Sequence, residues 1–236
     1  MIYAVSNLHG EHNLFKQLLQ KINFSEHDTL YVLGDIVDKG PASMELLLDM
    51  MTYPNIIPLL GNHDLEAGAL LPLLSKEPLT NLKGHAFVLA ATWELKNGGS
   101  STLEGFQALS EEDRKRVLSY IDRFEFYAEV SAGGNEYVLT HAGIQNYAPD
   151  RPLSDYMVDD LIRGVTNYDE PVFYGNKYLV TGHIPTHWIL ANPRPGFIYR
   201  TNNHIAIHCG VNFAGGRLGA ICLDTGEEFY VEYERG

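Results

Sequence analysis

Cysteine is scarce in this chain, and basic residues are outnumbered. Only Cys209 and Cys222 occur among 236 residues. They make neither a disulfide framework nor a Cys-x-x-Cys metal pair, so a reducing, cytoplasmic setting is expected. No stretch approaches the roughly 18 consecutive apolar residues of a membrane-spanning helix. Met1-Ile2-Tyr3-Ala4-Val5 lacks the basic region of a secretory leader, and no membrane partner is expected. Lysine and arginine total 17 against 30 aspartates and glutamates, a formal net charge of −13. That balance opposes a nucleic-acid duplex as partner, because backbone binding needs a basic footprint. Internal repeats, linkers, low-complexity segments and heptads are missing too, so one domain over residues 1–236 and a monomer are expected. An acidic protein that handles phosphate needs a local source of positive charge, and metal ions are one such source.

What is present is an alternation. Ile2 to Val5 is apolar, and the polar stretch Ser6-Asn7-Leu8-His9-Gly10 follows. Glu11 to Ile22 then carries Leu14, Phe15, Leu18, Leu19 and Ile22 at helical spacing. Thr29 to Leu33 is a second apolar run, ended by Gly34-Asp35, and Ser43 to Met51 is helical after Gly40-Pro41. Asn55 to Leu60 is a third, ended by Gly61-Asn62-His63-Asp64, with a helix predicted over Leu65 to Leu74. Strand, polar loop and helix repeated three times imply parallel strands with helical crossovers. Sites in such sheets gather beyond the carboxyl ends of the strands. Residues 76–123 change character and read as a helical insertion, with one helix over Leu103 to Tyr120 whose second part Ser110 could cap. Phe124 to Val130, Glu136 to Thr140, Tyr178 to Thr181, His204 to His208, Leu218 to Leu223 and Glu228 to Tyr233 read as strands of a second, more antiparallel half.

Five strand ends carry residues of metal-ligand type: Asn7 with His9, Asp35 with Asp38, Asn62 with His63, His141, and His183. Mixed imidazole and oxygen ligands suit Mn, Fe or Zn better than Mg or Ca. Two ions sharing a carboxylate can clamp a phosphate and acidify a water between them. Gly10, Gly34, Gly61, Gly143 and Gly182 beside these residues permit tight turns and close backbone approach.

The ordered segments Asn7-Leu8-His9-Gly10, Gly34-Asp35-Ile36-Val37-Asp38-Lys39-Gly40, Gly61-Asn62-His63-Asp64, His141-Ala142-Gly143 and Gly182-His183 resemble the five motifs of calcineurin-like metallophosphoesterases. The nearest resemblance is to their phosphoprotein phosphatase branch, including the small bacterial and phage serine/threonine phosphatases. It implies an α/β fold, a four-layer α/β/β/α sandwich with the helical insertion beside the site. It implies two divalent or trivalent metal ions, Mn first, with Fe or Zn as alternatives. Asn7, His9 and Asp35 would hold the first ion; Asp35, Asn62, His141 and His183 the second. His63 would be the general acid at the leaving oxygen and Asp38 would orient it. Arg163, with Lys39 and Asn62, would bind substrate phosphate. The function implied is hydrolysis of phosphoserine, phosphothreonine or phosphotyrosine in a protein or peptide by a metal-activated water. The alternatives are a symmetrical dinucleoside tetraphosphate hydrolase, with a nucleotide as partner, and a non-catalytic binding protein of the same fold.

Four positions depart from the pattern. Asn7 stands where aspartate is expected; its amide oxygen can coordinate but brings no charge, so the first ion should bind more weakly and activity should fall. It reads either as a natural residue or as an introduced change, the intact remainder of the ligand set favouring the second; restoring aspartate should raise first-ion occupancy. Lys39 replaces the branch's arginine and loses the planar fork. Leu60 replaces another phosphate-binding arginine and looks more like the dinucleoside tetraphosphate hydrolases. His208 stands where aspartate is more usual. Arg163 could instead only favour a helix dipole, and Asn97-Gly98-Gly99 could be an ordinary turn.

Overall fold

The computed structural model describes residues 1–164 and 166–233. The first third folds as β1 (Ile2–Val5), α1 (His12–Lys21), β2 (Thr29–Leu33), α2 (Ser43–Met50), β3 (Ile56–Leu59) and α3 (Asn62–Leu74). The insertion holds α4 (Gly84–Lys96), α5 (Gly99–Ala108) and α6 (Glu111–Ile121). Then follow β4 (Tyr127–Ala132), β5 (Asn135–Thr140), α7 (Val158–Ile162), β6 (Lys177–Thr181), β7 (Tyr199–Thr201), β8 (His204–Ala206), β9 (Arg217–Cys222) and β10 (Glu228–Glu232). Among the described residues no helix is long and apolar enough to cross a membrane.

The strands make two five-stranded sheets, ordered β10-β9-β1-β2-β3 and β4-β5-β6-β8-β7. Period-two alternation sorts their side chains into separate layers. Ala4, Leu33, Leu59, Leu139, Val180 and Ile221 pack in one apolar cluster between the sheets. Their neighbours Val5, Val32, Val138, Leu179 and Ala220 belong to the other cluster, which joins the helices. Leu14, Phe15 and Leu18 of α1 cover one outer face together with Leu46, Leu47 and Met50 of α2. The opposite outer face is covered by Leu161 and Ile162 of the short α7, with Ile144, Tyr156 and Phe173 from loops. The expected α/β/β/α layering is therefore present, with its last layer thin.

Several boundaries differ from the sequence expectation. The strand pair β1–β2 and the pair β2–β3 are parallel as expected. The second half is less antiparallel than its pattern suggests, because β5, β6 and β8 run parallel, while β9 and β10 return as a hairpin to the first sheet. The single helix expected over Leu103 to Tyr120 is two, broken at Leu109-Ser110, where the Ser110 hydroxyl accepts the Asp113 N–H at 3.1 Å and caps α6. β7 is only three residues long and carries too little alternation to be seen. Helix α3 begins at Asn62, three residues early, because the Asp64 carboxylate accepts the Gly61 N–H at 3.0 Å and closes the first turn.

Candidate metal centre

The carboxyl ends of β1, β2, β3, β5 and β6 deliver the polar residues to one rim. Backbone strain marks the place. Asn7, His9, Asp35, Asp38, Lys39 and His183 all have left-handed φ, between 45° and 72°. That region costs most non-glycine residues about 1 kcal/mol or more, so each is held there by surrounding structure. Gly61 allows the loops to meet, since a Cβ on it would lie 2.4 Å from Asp35 Oδ1.

Asp64, to which the sequence assigns no role, ties the loop after β2 to the loop after β3. Its buried carboxylate accepts the N–H groups of Asp35 at 2.8 Å, Ile36 at 2.9 Å, Val37 at 3.3 Å and Gly61 at 3.0 Å. Burial and the Asp35 charge push the Asp64 carboxyl up to about 7, against the opposing pull of those N–H groups.

Asp35 lies at the centre, 2% exposed. One of its oxygens looks to His141, the other to His9. On the first side, His141 Nε2 stands 3.3 Å from Asp35 Oδ1, 3.2 Å from Asn62 Oδ1 and 3.1 Å from His183 Nδ1. His141 Nδ1 lies 2.7 Å from the Leu33 carbonyl and donates its proton there, which leaves Nε2 a lone pair. In the neutral tautomer, His141 Nε2 thus faces two oxygens and a ring nitrogen at close range, while Asp35 Oδ1 also accepts the His63 backbone N–H at 3.1 Å. Atoms bound about 2.1 Å from a shared ion stand roughly 3.0–3.4 Å apart, which is the spacing found. Burial opposes a charge on His141, yet the Asp35 carboxylate holds its imidazole above the ordinary value. His183 is pushed down to about 4 by burial and by His141. By donor type and spacing, Asp35, Asn62, His141 and His183 fit a cation.

On the other side, His9 Nε2 is 3.7 Å from Asp35 Oδ2. His9 Nδ1 is 3.1 Å from the Val37 carbonyl and donates to it. Asn7 Nδ2 donates to Asp35 Oδ2 at 2.8 Å, and Asn7 Oδ1 accepts the His183 N–H at 3.0 Å. The Lys39 ammonium reaches His9 Nε2 at 2.9 Å. Burial and Lys39 together hold His9 well below its usual range.

His63 stands beside His9 and Asp35, with one ring nitrogen within 4.8 Å of their ligand atoms. Its Nδ1 donates to Asp38 Oδ2 at 2.8 Å, which leaves Nε2 as the free proton position. Burial would lower His63, but the Asp38 bond and the Asp35 charge raise it, and burial raises Asp38. The insertion contributes Trp93, whose indole N–H donates to the same Asp38 oxygen at 2.8 Å; no local pattern exposes this contact across 55 positions. Arg163 pairs with Glu66 at 2.9 Å and with Asp159 at 3.3 Å. Glu66 also accepts from Asn97 at 3.0 Å, so the Asn97 turn belongs to the rim. Leu60 is buried and lines an apolar cleft of about 660 Å³ with Leu65, Phe124 and Phe126. His208 is buried 6.2 Å from the His9 ring, centroid to centroid, and burial with the Lys39 charge pushes it down to about 3.

A calcineurin-like phosphoesterase profile matches residues 1–187. The chain belongs to the calcineurin-like phosphoesterase family and is a metallophosphoesterase hydrolase, a family with a dinuclear divalent metal site. Among curated proteins it is 32% identical over 146 residues to the symmetrical bis(5'-nucleosyl)-tetraphosphatase of Acidovorax sp. (strain JS42), covering 61% of this chain and 44% of that protein. It is 28% identical over 190 residues to the protein of that name from Nitrosomonas europaea, covering 79% and 59%. The chain thus spans about half the length of the curated relatives it matches. Its fold is similar to a provisionally assigned diadenosine tetraphosphatase, with a TM-score of 0.68 at 20% identity over 100% of this chain and 94% of that one. It is also similar to a protein serine/threonine phosphatase from Saccharomyces cerevisiae, with a TM-score of 0.53 at 14% identity over 100% and 80%.

A cation held only by the folded chain stabilises it. With free Mn a hundredfold above its dissociation constant the gain is about 2.7 kcal/mol, a rise in Tm of roughly 5–10 °C for a chain this size. Calorimetry with Mn and with chelator should show that shift, and Asp35→Ala should erase it. An unshifted Tm in the unaltered chain would count against the site.

Proposed function

We propose that this chain hydrolyses dinucleoside tetraphosphates, cleaving a phosphoanhydride bond with water, rather than dephosphorylating proteins. The observation that carries this reading is Leu60. An apolar, buried side chain stands where the protein-phosphatase branch places a phosphate-binding arginine, and it faces an apolar cleft. The names of the curated relatives point the same way. Arg163 offers less support for the phosphoprotein reading than the sequence suggests, because Glu66 and Asp159 already engage its guanidinium.

A cation held by Asp35, Asn62, His141 and His183 would supply Lewis acidity toward a phosphate oxygen. The chain's own residues do the rest. His63 holds a proton at Nε2 for the departing nucleotide, with Asp38 and Trp93 fixing the imidazole from behind. Asp64 keeps the loops after β2 and β3 in register. A surface for a base lies at Trp188, which is 63% exposed and packs edge-on against Phe213 with ring centroids 5.6 Å apart. Phe213 follows Asn212, whose amide donates to Glu11 at 3.1 Å beside the His9 loop.

The test compares kcat/KM on diadenosine tetraphosphate and on a phosphoserine peptide, both with Mn. The nucleotide should be preferred by at least about a hundredfold, and preference for the peptide would restore the phosphatase reading. Base–aromatic stacking contributes roughly 1–3 kcal/mol. Trp188→Ala should therefore raise KM for the dinucleotide about tenfold and leave KM for p-nitrophenyl phosphate unchanged.

A further inference from the structure

The two halves of the centre are built on opposite principles. Around His141 Nε2, the nearest side-chain polar atoms are the oxygens Asp35 Oδ1 and Asn62 Oδ1 and the His183 ring nitrogen Nδ1, with no ammonium or amide NH2 among them; the one N–H on Asp35 Oδ1 is the His63 backbone's at 3.1 Å. Around His9, side-chain N–H groups already meet the two atoms that a first ion would use. The Lys39 ammonium meets His9 Nε2 at 2.9 Å, and the Asn7 amide meets Asp35 Oδ2 at 2.8 Å.

The orientation of the Asn7 amide follows from its neighbours. Its oxygen accepts the His183 N–H at 3.0 Å, so its NH2 must point inward to Asp35. The sequence alone suggests that the amide oxygen could replace a carboxylate as a ligand. The structure turns that oxygen away and presents hydrogens instead. An incoming cation would meet donors on two sides.

Lys39 is also guided to this place. Its N–H donates to the Gly98 carbonyl at 2.9 Å. Gly98 has φ +88°, and a Cβ there would lie 2.8 Å from Lys39 Cγ. The glycine turn of the insertion thus makes room for the lysine stem. Its tip turns inward on His9. Positions 7 and 39 act together: asparagine brings no negative charge, and the compact Lys39 ammonium sits on His9 Nε2.

We propose that the Lys39 ammonium stands in for the first metal ion, so that this chain binds one divalent cation, at Asp35, Asn62, His141 and His183, and not two. The inference rests on this being a metallophosphoesterase centre and not on which phosphate ester is cleaved. Its test counts ions and needs no substrate.

Chelator-stripped protein is titrated with Mn(II), with free Mn followed by electron paramagnetic resonance and bound Mn counted by elemental analysis after desalting. The unaltered chain should take up one equivalent. Asn7→Asp alone, which the sequence expects to raise first-ion occupancy, should still bind one, because the new carboxylate pairs with the ammonium. Asn7→Asp combined with Lys39→Gly should bind two; glycine suits the left-handed φ of 69° at position 39, so the loop keeps its course, and circular dichroism checks the fold. Combination with Lys39→Met gives a second measurement and should also reach two. Two equivalents in the unaltered chain overturn the proposal, and so does none. Two in Asn7→Asp alone removes Lys39 from the explanation, and one in both double variants refutes it.

Discussion

Asp64→Ala should lose about 3–5 kcal/mol of folding stability in urea titrations. Its carboxylate accepts four backbone N–H groups from the β2 loop and the start of α3, and it is fully buried. Each buried donor left without a partner costs about 1–3 kcal/mol, and local relaxation or an entering water recovers part of that sum. Against a total of 5–15 kcal/mol for an ordinary domain, the loss is severe. Asp64→Asn keeps one acceptor oxygen and turns an NH2 toward the remaining donors, so it should lose less than alanine but still over about 1 kcal/mol. Near-unaltered stability in the alanine variant would show that the loops are held by something else.

His63→Asn should lower kcat by roughly 10²–10⁴ where the leaving oxygen is strongly basic, the range typical of a lost general acid. The effect should shrink as the leaving group improves, because a good leaving group needs less of the proton. Phenyl phosphate and p-nitrophenyl phosphate, compared at saturating Mn, measure this directly. The Mn-induced rise in Tm should be retained, since His63 Nδ1 is committed to Asp38 and no ligand of the His141 cluster is touched. If the variant loses Mn instead, His63 is a ligand and not an acid. A uniform loss on both esters would point to a positioning role.

The legible part of this centre was that carried by short range. Each of Asn7, His9, Asp35, Asn62, His141 and His183 comes within a few residues of an apolar run, and such runs make the strands whose ends form the rim. The parallel order of β1, β2 and β3 follows from the helices between them. What escaped depends on partners far along the chain. The Asn7 amide is oriented by a backbone N–H 176 positions away. Trp93 reaches Asp38 from the insertion, whose helices show no ligand pattern. Lys39 reads as a phosphate binder by its place in Gly34 to Gly40, yet its tip lies on His9. Strand direction in the second sheet also escaped, because the connections between β5, β6 and β8 contain little regular helix to announce a crossover.

The left-handed backbone at position 7 carries an evolutionary implication. Asparagine and aspartate tolerate φ near 54° better than most side chains. An exchange between them leaves the chain's path undisturbed, and only electrical character changes. The backbone conformation by itself therefore does not require the acid there. A lineage can drift into a different ion requirement while its silhouette stays the same, and shape comparison will not notice.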